Sequence, residues 1–417
     1  MLRDGRPYAR ALVLSHVDQL AQLAQAAPAA VPAAVVVGDP CFDRIVASLP
    51  FRARYRDALG IGERKLIYVS STWSQTSALG ARVDLLRELL GELPRDSYVV
   101  ATALHPNISH GHGPGLIQRW FADCLRAGLI VLSEIDDWRT GLIAADVVIG
   151  DIGAVSGYSA AVGRPTVLAA FPEVPRGTPI SVLRRTAERL PLHGPYRPHI
   201  DAAIAAHTDQ RFRDVAALVT SEPGLALERL RTVCYQVLGI TPRPDEVQLP
   251  ILPSPAPPAP LRSVADLVTV SVDVDERLIR LARRPAEPRR TSAQYEAADR
   301  LGHLACSTDY PMRSLRERAD VLVGHAADTG GNTTGSLREV LHHNPFCEVA
   351  ALSDGRSCIA SCRTGEVFTL TAPAVPADAL ASALYAWIHA RHSPKALAPT
   401  VTVELGNTRY TVTVKLD

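Results

Sequence analysis

Lysine is nearly missing from this 417-residue chain. Only Lys65, Lys395 and Lys415 occur, and the remaining 41 of the 44 basic residues are arginines. Acidic and basic residues almost cancel, 43 against 44, so no broad positive field favours nucleic acid or an anionic bilayer as the main partner. No apolar run approaches the twenty or so residues of a membrane-spanning helix, and Met1–Pro7 lacks the apolar core of a secretory signal. Neither a GxGxxG fingerprint nor a GK[ST] phosphate loop is present, which removes the usual NAD and P-loop ATP assignments. Seven cysteines, an odd number scattered along the chain, include no CxxC pair; the CxxxC spacing of Cys358 and Cys362, near Cys347, completes no zinc set. Reduced structural thiols in a cytoplasmic protein are expected, with no metal site.

What the chain does have is a clear change of texture. Eight prolines between Thr241 and Ser263 rule out both helix and central strand there and predict a semi-rigid linker over 241–263. Upstream, near-continuous apolar runs alternate with helical patterns: strands over Ala11–Ser15, Ala33–Val37, Lys65–Val69, Tyr98–Ala103, Leu129–Leu132, Val147–Ile149 and Thr166–Ala169, with helices between them, among them Leu79–Leu93 and Gly115–Ala127. That pattern predicts a doubly wound parallel α/β sheet, Rossmann-like, covered on both faces. Downstream, 264–417 carries alternating strands at Leu267–Val274, Asp320–Val323, Phe346–Leu352, Ser357–Ser361, Val367–Leu370, Thr400–Leu405 and Tyr410–Leu416. One helix is expected over Ala377–Arg391, and a hairpin at Gly406-Asn407. A smaller α+β domain follows from this.

In an open parallel sheet, ligands bind beyond the carboxyl ends of the strands, where helix N-termini favour anions. The residues at those positions are Ser15-His16, Gly38-Asp39-Pro40, Ser70–Trp73, His105-Pro106-Asn107 and Gly150–Ser156. The segment Gly150–Ser159 is the strongest signal, because a Gly-Asp turn, a second glycine, Ser156 and Ser159 lead from a strand into a helix suited to a diphosphate. His105, just after a strand, is placed to donate to a phosphate or to act as an acid–base group. The pairs His110/His112 and His342/His343 are read as solvated loop and helix-end residues.

The order of these motifs resembles the nucleotide-binding half of the CDP-glycerol glycerophosphotransferase (teichoic-acid polymerase) family, a branch of the GT-B fold. Gly38, Pro40 and Asp43 match its Gly-x-Pro-x-x-Asp turn; Thr72 and Trp73 its Thr-aromatic strand end; His105, Pro106 and Asn107 its His-Pro motif; Asp151, Ser156, Pro165 and Thr166 its Asp-hydroxyl and Pro-led strands. The resemblance covers roughly Ala33–Phe171. It implies a transferase that binds a nucleotide-diphosphate-activated small-molecule donor, without an obligatory cofactor or protein-bound metal. Thr72, Trp73, His105, Asp151, Gly153, Ser156 and Ser159 would line the donor site, and His105 would be catalytic, stabilising charge on the leaving phosphate.

The chain also departs from the family pattern. Ser74 stands where the family has arginine, Cys41-Phe42 replaces Arg-Asn, and Asp151-Ile152-Gly153-Ala154 replaces Asp-Tyr-Ser-Ser. Residues 1–34 look like the last unit of a preceding acceptor lobe, 35–240 like the donor lobe and 264–417 like an accessory domain. A shortened enzyme is expected. The alternatives are a non-catalytic GT-B-derived binding or scaffold protein and a nucleotide-sugar epimerase-like enzyme.

Overall fold

The computed structural model describes residues 2–417 except 4, 289–301, 330, 356, 391–393 and 398. The chain divides into two compact units. The first comprises Met1–Asp84, Ala101–Pro114 and Ile130–Pro258; the second comprises Leu85–Val100, Gly115–Leu129 and Ala259–Asp417.

In the first unit, β1 (Leu12–Leu14) and β2 (Ala34–Val36) form a small parallel pair. The main sheet contains β3 (Lys65–Ser71), β4 (Tyr98–Leu104, of which Ala101–Leu104 belong to this unit), β5 (Ile130–Leu132), β6 (Val147–Gly150), β7 (Thr166–Leu168) and β8 (Glu188–Arg189), in the order β8-β7-β6-β3-β4-β5 with parallel pairing. Leu66 to Val69 and Val147 to Ile149 are wholly inaccessible to solvent, as strands covered on both faces must be. The expected parallel α/β sheet is therefore present.

Two long helices expected from periodicity are each broken. Leu79–Leu93 becomes Ala78–Ala81 and Leu85–Glu92, because Arg82 leaves helical geometry (φ −135°, ψ 70°). Its buried guanidinium donates instead to Pro191 O, Leu192 O and Tyr196 Oη. Gly115–Ala127 becomes Pro114–Trp120 and Ala122–Arg126, interrupted at Phe121 (φ −105°, ψ 16°). The helices Pro40–Ser48, Pro179–Thr186 and Arg197–Ala205 were not anticipated. Each has proline in its first turn, where a missing N–H does no harm. The proline-rich stretch holds neither helix nor strand, and part of it is tied down. Leu252 is fully buried, accepting from Tyr55 Oη (2.9 Å) and donating to Ser48 Oγ (3.0 Å).

The second unit corrects a simpler expectation of an α+β domain. Its strands are β9 (Ala265–Asp273), β10 (Leu278–Pro285), β11 (Gly302–Ser307), β12 (Val321–His325), β13 (Val349–Ser353), β14 (Ser357–Cys362), β15 (Val367–Thr371), β16 (Thr400–Leu405) and β17 (Thr408–Leu416). They close into a mixed barrel in the order β9-β10-β16-β17-β15-β14-β13-β12-β11. The helix Ala377–His389 is buried from Asp378 through Leu384 and again at Ala386 and Trp387. It shares one apolar core with residues from all nine strands. A helix apolar on every side needs such an enclosure. Arg391, the expected last residue of this helix, lies outside the described residues. Gly406-Asn407 does form the two-residue turn between β16 and β17, with Gly406 at φ +60°.

Sequence periodicity did not reveal β10 because its inward-facing side chains include a charge. Arg283 pairs with Val268 across the ladder and is 5% exposed. Its guanidinium donates to both Asp96 and Asp378. Asp266, two residues before Val268, is fully buried, with Arg95 Nε 3.2 Å away. Burial outweighs Arg95 and Arg283 and raises its pKa to about 6.

Candidate functional site

In sheet order β3 lies between β6 and β4, so its two neighbours leave in opposite directions along the chain. The crevice above the carboxyl ends of such strands is where open α/β sheets bind ligands. A cavity of about 380 Å³ occupies that place, and its walls include Thr72, His105, Gly153, Tyr68, Trp138 and Tyr158.

Asp151 joins the loops that frame the cavity. Its Oδ2 accepts from Thr72 N (2.7 Å), Thr72 Oγ1 (2.8 Å) and Ala78 N (3.0 Å), and its Oδ1 accepts from Gly153 N (2.9 Å). With four donors and 1% exposure, this carboxylate organises backbone and does not itself line the cavity. A Cβ on Gly153 would come within 2.8 Å of Thr72 Cγ2, so this close approach requires glycine.

Gly153 also begins the helix Ala154–Ala161, whose first turn has no side-chain cap. Backbone N–H groups of an uncapped first turn are anion donors, and Gly153, Ala154 and Val155 line the cavity. Ser156 and Ser159 face elsewhere. Ser156 is 1% exposed, with its hydroxyl close behind Gly150, where a Cβ would come within 2.1 Å of it. Ser159 is fully buried and shares a 2.9 Å hydrogen bond with Thr166. Trp73 is 61% exposed and is not in the cavity wall. The cavity thus brings together Thr72, His105 and Gly153, with Asp151 behind them.

The His105 ring is held through its inner nitrogen. Its Nδ1 accepts from Asn107 N at 3.1 Å, which assigns the proton of the neutral ring to Nε2 and leaves a donor available. Glu134, Cys41, Ser70 and Ser71 add to the polar part of the wall. Among the described residues, neither lysine nor arginine lines it.

Two aromatic rings of the wall, Tyr158 and Trp138, were not singled out from sequence as site residues, and Phe42 backs them. Tyr158 stacks against Trp138 (6.3 Å, 21°) and Phe42 (6.0 Å, 23°). The Tyr158 hydroxyl donates to Asp39 Oδ2 at 2.7 Å, while Asp39 Oδ1 caps the helix Pro40–Ser48 through Cys41 N and Phe42 N. Burial, and then the Asp39 charge, push the Tyr158 phenol well above its ordinary pKa. The Gly38-Asp39-Pro40 turn was visible in the sequence, but its partner across the fold was not. Among the described residues, no group of three or more His, Cys, Asp or Glu is disposed to hold a metal ion.

No protein-family model and no curated protein matches the chain. Among solved structures, the wall teichoic acid polymerase TagF is similar at 15% identity and a TM-score of 0.41, over 55% of this chain and 57% of that one. A UDP-N-acetylglucosamine 2-epimerase from Listeria monocytogenes, so described provisionally, is similar at 15% identity and 0.34, over 58% and 63%. WaaG, a glycosyltransferase of lipopolysaccharide biosynthesis, is similar at 14% identity and 0.33, over 53% and 62%. The chain therefore spans less than two thirds of the length of each of these proteins, and likeness at this level assigns neither activity nor substrate.

Proposed function

We propose that the first unit binds a nucleotide-diphosphate-activated donor and serves a glycosyl- or glycerophospho-transferase of GT-B type. The observation that carries this reading is the meeting, in one cavity at the reversal of strand order, of His105, the Thr72–Asp151 clasp and the uncapped helix start at Gly153. The helix N-terminus and the Nε2–H of His105 would take the diphosphate, since among the described residues no lysine or arginine lines the cavity. His105 would stabilise the charge that develops on the leaving phosphate, worth about 2.7–4 kcal/mol for one preorganised donor. Ala154 and Val155 would supply backbone donors from the uncapped first turn, while Thr72 and Gly153, whose own N–H groups are taken by Asp151, would supply shape. The motif order from Gly38 to Thr166 supports the same class.

Calorimetric titration with CDP, UDP and GDP tests it. Micromolar binding of one of them is expected, and no binding of any of the three would refute the reading. A second reading rests on Glu134, a carboxylate on the same cavity wall. A nucleotide-sugar epimerase needs an acid–base group beside the sugar, and exchange of a sugar C–H proton in deuterated water would favour that chemistry over transfer. Binding with neither turnover nor exchange would mark a protein that binds without catalysing.

A further inference from the structure

Tyr68 lies on β3, flanked there by Leu66, Ile67, Val69, Ser70 and Ser71, and is fully buried in the wall of the cavity. The ring lies against Gly141 in the helix Asp137–Ala144. A Cβ there would meet the ring at 3.4 Å and Leu132 Cδ1 at 2.2 Å. The ring therefore sits beneath the helix whose first turn carries Trp138.

Among the described residues the Tyr68 hydroxyl has no hydrogen-bond partner. Burying an uncompensated hydroxyl costs free energy, and phenylalanine would fill the same space without that cost. A phenol kept at such a place is explained by a partner that arrives with a ligand. Burial also drives its pKa far upward, so it stays protonated and can donate.

We infer that Tyr68 is a specificity-determining residue whose hydroxyl donates to a carbonyl or ring nitrogen of the nucleobase. This rests on the donor-site reading above and deepens it. The lining favours a base as the partner of Tyr68: the same cavity offers Ala103, Leu104, Trp138 and Tyr158, and among the described residues no lysine or arginine. Flat aromatic and apolar surface with one buried donor suits an uncharged planar ring. The phosphates would then fall to His105 and the Gly153 helix start.

The test compares the full chain with Tyr68→Phe, titrating the nucleoside diphosphate that the unmodified protein prefers and the corresponding nucleoside without phosphates. The inference expects an unchanged or higher melting temperature for Tyr68→Phe, and about tenfold weaker binding of both ligands. Equal affinity of the two proteins would overturn it. A loss confined to the diphosphate would also overturn it, by moving the contact to the phosphates. If the unmodified protein binds no nucleotide, the donor-site reading itself fails, and the result is distinct from failure of the Tyr68 contact.

Discussion

Thr72 gives both its backbone N–H and its hydroxyl to the same carboxylate oxygen of Asp151, at 2.7 and 2.8 Å. The strand end after β3 and the turn after β6 are thereby fixed to one another before any ligand enters. Removing that carboxylate leaves Ala78 N and Thr72 N without their acceptor in a buried setting. Asp151→Ala is therefore expected to cost about 3 kcal/mol, read as a lower denaturant midpoint, and to weaken nucleotide binding.

Arg283 joins Asp96 and Asp378 inside the second unit, with all three side chains largely buried. Replacing it by methionine keeps much of the volume but leaves two carboxylates unpaired. A loss of about 3–5 kcal/mol is expected in chemical denaturation. Arg283→Lys should recover only part of this, because one ammonium cannot reproduce the forked contact to Asp96 together with the bond to Asp378.

Asp266 titrates at about 6 in the fold against 3.8 in the unfolded chain. Between those values the folded state keeps a proton that the unfolded state releases, so this group's contribution to stability falls as pH rises through the window. Above it, the penalty is about 3 kcal/mol at most. Asp266→Asn should stabilise the protein at pH near 7.5, with the advantage shrinking toward pH near 4, as measured by urea midpoints across pH.

His303 behaves in the opposite sense. It packs 4.3 Å from Tyr385, and burial lowers its pKa from 6.5 to about 3. As pH falls through that interval the unfolded chain takes up a proton that the fold refuses, so stability is lost on acidification. The loss reaches roughly 4 kcal/mol near pH 3. His303→Phe should flatten this part of the profile, and an unchanged acid limb would show that other groups dominate it.

Much of the first unit was legible because parallel strands buried on both faces are written as unbroken apolar runs, as in Lys65–Val69 and Val147–Ile149. The strand ends then named Thr72, His105 and Gly153 as neighbours of a ligand. Sequence could not distinguish a residue that lines a cavity from one that holds the lining in place. Asp151 and Ser159 look alike as polar residues near a helix start, yet both are buried behind the wall. Tyr68 and Tyr158 were hidden for the converse reason, since an aromatic residue in a strand or helix ordinarily signals packing. The barrel was harder to read because Arg283 and Asp266 occupy inward positions and break the alternation of β9 and β10.

A nucleotide held in the crevice between the ends of β3, β4 and β6 would shield the loops that frame it. Backbone hydrogen exchange, measured with and without saturating nucleoside diphosphate, tests it most directly. Slowed exchange is predicted around Thr72–Ala78, His105–Asn107 and Gly153–Ser156, with the barrel strands unchanged and the effect reduced in His105→Ala. Protection that is absent, or that falls in the second unit instead, would contradict it.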